Sequence, residues 1–277
     1  MAKRKTATAK SAARRRTGKT PPSRQSSTPA RKPVPGVAAL TAATFAVPAL
    51  AAATAPAEPL NAVIDLSHHN TVTSFEAART AGIRAVIQKA TQGTRFVDPT
   101  YRSHRDAARA ANLLFGAYHF GVAGNATEQA SHLLAVAQSD TPLLVLDLEG
   151  NPQGHDMSLQ EAEEFVNHIF TVTGRFPGLY SGHTLKEMLS AARIHDPQQT
   201  ILSQCWLWIA QYGPAPLIPS LWPRWTLWQY TDGAAGPLPH EVNGIGRCDR
   251  DRFNGSEQEL IAFWNGTPAR SPQSLGA

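Results

Sequence analysis

The sequence has only two cysteines, Cys205 and Cys248, in 277 residues. That excludes a scaffold built from disulfides. It leaves one bridge between late strands, or two buried thiols. No Cys/His group has the spacing of metal ligands. His68 and His69 are adjacent, so in a strand they point apart and do not share an ion. No G-x-G-x-x-G follows the first apolar run, which removes the main argument for a dinucleotide fold. Acidic residues are missing from 1–36, where eleven Lys/Arg stand unopposed. Residues 37–277 carry 15 basic against 21 acidic residues. The net charge of +5 therefore belongs to the tail, and the rest of the chain gives no electrostatic reason to bind nucleic acid.

Charge of either sign is absent from residues 33–57. The preceding tail, 1–36, is rich in Lys, Arg, Ser, Thr and Pro, has almost nothing to bury, and reads as disordered. A tail that binds nucleic acid or anionic lipid is the alternative. Residues 37–57 hold the apolar run VAALTAATFAVPALAAA and two Ala-x-Ala sites. A basic stretch, an apolar stretch and small residues at a cleavage site describe an export signal. The segment fits a cleaved signal, a retained anchor giving membrane association, or an Ala/Pro linker; we read it as export. Residues 266–277 read as a disordered C-terminal tail.

From residue 61 to 265 the texture is that of one folded domain. Apolar runs at 61–67, 84–93, 113–120, 143–150, 177–182, 205–212, 225–231 and 243–255 read as strands. Helical spacing fills 74–82, 98–113, 126–138, 158–174, 185–193 and 256–264. Ser158 with Glu161 and Ser256 with Glu259 are capping boxes, Gly174 is a helix stop, and Asp98-Pro99 is a helix start. Alternating strands and helices predict a parallel sheet, and eight strands in about 205 residues predict a somewhat irregular α/β barrel of the TIM type with reduced late helices. A doubly wound open sheet is the alternative.

A barrel of this kind keeps its active site at the C-terminal ends of its strands. Polar residues gather there: Asp65, Lys89, Tyr118, His119, Asp147, Glu149, Tyr180, Gln211, Gln229, Tyr230 and Asp249. The run LLVLDLEG at 143–150 is the most pointed. Asp147 and Glu149 are two apart, so an extended chain aims both to one side. Paired acids at the end of a buried strand repel each other and lose water, so one stays protonated near neutral pH while its neighbour ionises. Desolvation and nearby acids should raise Glu149, with Asp147 ionising first. Five of the six tryptophans fall within 206–228. About half would pack the core, and the others would offer aromatic faces to sugar rings. Acids with aromatics in a cleft suggest glycoside hydrolysis.

Eight ordered runs sharpen this: IDLSHHN (64–70), VIQKATQGTRFVDPTY (86–101), GAYHF (116–120), LLVLDLEG (143–150), GLYSG (178–182), LWIAQYG (207–213), WTLWQYTDG (225–233) and CDRDRFNGS (248–256). In sequence and spacing, residues 61–264 resemble the glycoside hydrolase family 25 muramidases, the Chalaropsis-type lysozymes. The resemblance implies a barrel that cleaves the β-1,4 bond between N-acetylmuramic acid and N-acetylglucosamine in peptidoglycan glycan strands. It implies catalytic acids at Glu149, Asp147, Asp65 and Asp249, with Glu149 as general acid. Sugar contacts are expected from Lys89, Tyr118, Tyr180, Trp208 and Gln229. It implies no metal, no organic cofactor, and action as a monomer. The chain departs from the family pattern at Cys248–Asp251, where Asp251 competes with Asp249 for the fourth acid, and in the long Pro/Gly-rich stretch 231–247. A chitinase-type barrel and a non-catalytic wall-binding barrel are the rival readings.

Overall fold

The apolar run that follows Glu58 pairs on both sides and begins a closed sheet. In the computed structural model, which describes residues 58–266, β1 (Leu60–Leu66) lies parallel to β2 (Ala85–Gln92) and antiparallel to a strand near the end of the chain. A short β3 (Phe96–Val97) folds back on β2 as a hairpin. The sheet continues through β4 (Leu114–Phe120), β5 (Leu143–Asp147), β6 (Gly178–Ser181), β7 (Trp206–Ala210) and β8 (Leu227–Thr231), each parallel to the last. A small hairpin of β9 (Glu241–Val242) and β10 (Gly246–Arg247) precedes β11 (Asp249–Phe253), which closes the barrel between β8 and β1. The closure excludes the open doubly wound sheet. The basic tail, the apolar segment 37–57 and residues 267–277 lie outside the described residues.

The expectation of an all-parallel barrel is corrected at this last strand. β11 runs antiparallel to both neighbours. Parallel neighbours need a crossover, usually a helix, whereas an antiparallel return needs only a loop. Residues 232–248 contain the β9–β10 hairpin and no helix, so the chain comes back in the opposite sense. Five helices, α1 (Phe75–Thr80), α2 (Tyr101–Ala110), α3 (Ala126–Ala137), α4 (Leu159–Thr173) and α5 (His183–Ala191), cover the outside of the earlier strands. The two capping boxes form as read, Gly174 ends α4 in the left-handed conformation, and Ser256 starts α6 (Glu257–Trp264). The Asp98-Pro99 start is shifted: Asp98 still accepts from the Thr100 backbone, but α2 begins at Tyr101.

Two apolar clusters result from the period of two along each strand. Val63, Ile87, Val145, Leu227 and Phe253 fill the barrel interior, and Ile64, Val86, Leu146 and Ile209 pack outward against the helices. Trp264 from α6 joins the interior cluster from below and donates its indole N–H to the Phe115 carbonyl. A Cβ at Gly116 would stand 3.0 Å from Leu143 and 3.3 Å from Trp264, so the absent side chain makes room for that plug. Both cysteines are buried free thiols, which resolves the bridge question in favour of packing. Among the described residues no helix is long and apolar enough to cross a membrane.

Candidate active site

The same alternation that fills the interior decides what stands above it. Two residues beyond Val63 on β1 comes Asp65, beyond Ile87 comes Lys89, beyond Val145 comes Asp147, and beyond Leu227 comes Gln229. Gly116 is followed by Tyr118, Gly178 by Tyr180, and Trp206 by Trp208. β11 runs the other way, so its first residue, Asp249, arrives at the rim where the other strands end and lies directly opposite Asp65. The upper layer of the barrel is therefore polar because each strand carries one polar or aromatic residue at one inward position.

These side chains enclose a cavity of about 220 Å³. Eight of the nine residues nominated from sequence line it: Asp65, Asp147, Glu149, Asp249, Tyr118, Tyr180, Trp208 and Gln229. Lys89 lines an adjoining cavity that also touches Glu149. The strand ends at Asp147, three residues short of the expected limit at 150. The extended path nevertheless continues: the Leu148 N–H donates to the Tyr180 carbonyl at 2.9 Å and the Leu148 carbonyl accepts from Ser181 Oγ at 2.6 Å. Leu148 is held outward, and Asp147 and Glu149 both meet the cavity.

Gln229 organises the floor. Its amide nitrogen donates to Asp65 Oδ2 at 2.9 Å, and its amide oxygen accepts from Tyr180 at 3.0 Å and from Tyr212 at 3.1 Å. Trp208 stands edge-on to Tyr180 with ring centres 4.7 Å apart and donates its indole N–H to Asp251 at 2.7 Å. Asp251 is fully buried beneath the cavity and does not line it. Between Asp249 and Asp251, the former is thus the acid that faces the open space. Asp251 Oδ2 has no donor facing it, while Asp65 is within hydrogen-bonding reach. Two acids so placed are satisfied only with a proton between them.

Burial dominates the electrostatics. It raises Asp65 and Asp251 well above the usual carboxylate range, reinforced at Asp65 by the charge of Asp251. Asp249 is pushed up to about 9 by burial and by Asp65. Asp147 is raised strongly by burial and then by Glu149, and its Oδ1 has no partner. Glu149 is raised by burial, but Lys89 and His183 pull it back. Asp147 is almost fully buried, whereas Glu149 is half-buried beside Lys89 and His183. Lys89 is lowered by burial, against the pull of Asp147, Asp98 and Glu149.

Glu149 also borders two larger cavities. One, of about 1020 Å³, runs over the β2–β3 hairpin, and the other, of about 660 Å³, lies between Tyr180, His183, Lys186 and Tyr212. Glu149 stands at the meeting point of a long cleft with the deep acid cavity at its centre. Tyr212, His183 and Lys186 were not nominated from sequence. Tyr212 continues the inward series Trp208, Ala210, which is the signal that could have found it.

Other readings are corrected by the same rule of sides. His119 faces outward, fully buried between Thr91 Oγ1 at 2.7 Å and Gln129 Oε1 at 3.1 Å, with its pKa lowered to about 4 by burial. Tyr230 also points out, bonded to Asn61 and the Pro239 carbonyl. Of the tryptophans only Trp208 reaches the acid cavity. Trp222 and Trp228 are buried and bonded to the carbonyls of Cys205 and Gln211, and Trp206 packs edge-on to Phe263. The aromatic surface of the cleft is instead supplied by tyrosines and by Phe96 and Phe120.

Residues 64–237 match the model of the glycosyl hydrolases family 25. The chain is 29% identical over 222 residues to lysozyme M1 of Streptomyces globisporus, across 74% of this chain and 71% of that protein. It is 30% identical over 199 residues to the N,O-diacetylmuramidase of Chalaropsis, across 65% of this chain and 92% of that protein. Among solved structures, the bacterial lysozyme of Streptomyces coelicolor superposes with a TM-score of 0.63 at 28% identity, covering 76% of this chain and 99% of its own. A family 25 lysozyme of Aspergillus fumigatus gives 0.60 at 28%, covering 73% and 97%.

Proposed function

The chain belongs to the glycosyl hydrolases of family 25, and from that premise we propose that it is a lysozyme cleaving the β-1,4 bond after N-acetylmuramic acid in peptidoglycan, with Glu149 as the proton donor. The observation that carries the assignment of Glu149 is its position. It is the acid common to the central cavity and both flanking ones, so a glycan lying along the cleft passes over it. Asp147 lies deeper, and a general acid must first be within reach of the oxygen it protonates.

Asp147 and Glu149 hold one proton between them over the working range. When a glycan fills the cleft, water leaves Glu149, and the neutral form becomes the favoured one. The proton then passes to the leaving glycosidic oxygen from Glu149. Asp147 acts as the reservoir partner. Asp65, which accepts from Gln229, and Asp249 opposite it form a ring of carboxyl groups around the sugar, neutral in the free protein, whose ionised form positive charge developing on the sugar ring would favour. Tyr118, Tyr180, Trp208, Gln229 and Lys89 orient the sugar at the centre. The segment 37–57 serves to export the enzyme to the wall it acts on.

The direct test is Glu149→Gln, which keeps the shape and removes the transferable proton. Release of reducing ends from purified peptidoglycan should fall by about 10²- to 10⁴-fold, with an unchanged melting temperature and retained binding to the insoluble wall. A variant that melts like the wild type and keeps more than about a tenth of the activity at its pH optimum would show that another acid is the donor.

A further inference from the structure

The two flanks of the cleft differ in charge. The larger lobe contains one acid, Glu149, at its inner edge; its basic lining residues are Lys89 and Arg95, and three histidines, His68, His69 and His155, stand among the neutral ones. We propose that this lobe is a subsite for the carboxylate-bearing substituent of the muramic sugar. This rests on the muramidase reading above and goes beyond it by giving the enzyme a preference for charged over neutral glycan.

The acid that approaches the lobe from below is already occupied. The Asp98 side chain is inaccessible to solvent and accepts four hydrogen bonds, from the backbone N–H and Nδ1 of His68 and from the backbone N–H and hydroxyl of Thr100. Burial works against its charge, but the hydrogen bonds from Thr100 and His68 outweigh it and hold the carboxyl below its usual range. Its oxygens are thus taken up by His68 and Thr100; its charge reaches Lys89, and neither oxygen bonds Arg95. Asp98 also fixes the His68 ring, because Nδ1 is committed to the carboxylate and Nε2 is left as the polar atom available to the lobe. Arg95 is exposed on the β2–β3 turn and has no ion-pair partner among the described residues. Beside it Phe96 is 40% exposed, an apolar shelf under the Lys89 ammonium.

A neutral polymer of N-acetylglucosamine gives such a lobe nothing to bind. The muramic sugar does, since its 3-O-lactyl group ends in a carboxyl that is either free or extended by an acidic peptide. An arginine beside a carboxylate forms a paired, charge-assisted contact, and a cationic lobe next to a ring of acids sets the register of an alternating glycan. Only the muramic sugar carries the charge, so its placement against the lobe decides which of the two bonds lies over Glu149.

The test compares kcat/KM of the full chain on three substrates: intact peptidoglycan, the same glycan stripped of peptide by an amidase so that the lactyl carboxylate is free, and stripped glycan whose carboxylates are capped as methylamides. We expect about a tenfold preference for a charged form over the capped one, the size of a single charge-assisted contact at a partly open site. The preference should appear in KM and fade with added salt. Arg95→Gln should bring the ratio to near one, and Arg95→Lys should restore most of it. A preference for intact over stripped glycan assigns the lobe to the peptide, and equal use of both assigns it to the lactyl group. Equal rates on charged and capped glycan, or a ratio unaltered in Arg95→Gln, would overturn the subsite while leaving the muramidase reading intact. No cleavage of any of the three would overturn that reading and the subsite with it.

Discussion

Glu149 stands where three cavities meet, and Asp147 lies two residues back at the floor with one oxygen unpartnered. Replacing Asp147 with Asn removes one of the two places where their proton resides. Glu149 then titrates alone, with Lys89 and His183 favouring its charged form. The sign follows: a lower pKa for the donor means that the protonated, active form is lost at lower pH. The alkaline limb of the pH–rate profile of Asp147→Asn should move down, and each unit of movement costs about tenfold in rate above it. Rates of reducing-end release across pH check this, and an alkaline limb that stays in place or moves up contradicts the shared proton. Sequence parity alone identified the pair. It did not reveal the groups that oppose the rise at Glu149, because Lys89 and His183 come from β2 and the start of α5, far away in sequence.

β5 continues past its last paired residue just far enough to hold Leu148 outward, and that single outward residue aims two acids into one cavity. Local signals of this kind were legible. The capping boxes at Ser158 and Ser256, the stop at Gly174 and the inward series of polar residues all depend on neighbours within a few positions. The antiparallel sense of β11 was not legible, since it follows from a connection that happens to lack a helix. The tryptophans were misjudged for a related reason: indoles pack as readily on the outer face as on the inner one, and of the two with inward parity on β7, Trp206 sits a layer too low and only Trp208 reaches the acids. Tight interior packing gives a prediction at this scale. A Cβ at Gly178 on β6 would fall 2.3 Å from the Trp206 ring. Gly178→Ala should therefore destabilise the barrel by about 1–3 kcal/mol through overpacking. For a domain of this size that is about 2–4 °C in Tm per kcal/mol. Thermal melting reads it, and an unchanged Tm would mean the ring moves freely.

The whole barrel folds around a set of acids that it holds in their neutral form. For a carboxyl raised in the folded state, the folded protein binds more protons than the unfolded chain. The stabilisation is complete below the unfolded value of about 4 and is lost as pH rises through the folded value. For Asp249 that loss extends up to about 9, and Asp65, Asp147 and Asp251 act in the same direction. His119 opposes them, but only between about 4 and its unfolded value of about 6.5, where the unfolded chain takes up a proton the buried ring refuses. Tm should therefore decline between about pH 6.5 and 9, and Asp249→Asn should flatten the decline. A Tm that rises over that interval would contradict the neutral acid ring. This cost in stability is what a site built for proton transfer demands, and a purely wall-binding barrel has no need of it. The account as a whole stands on which bond the enzyme breaks. Digestion of purified peptidoglycan, followed by mass spectrometry of the new reducing ends, should find muramic acid there; glucosamine at the reducing end, or no new ends at all, would contradict it.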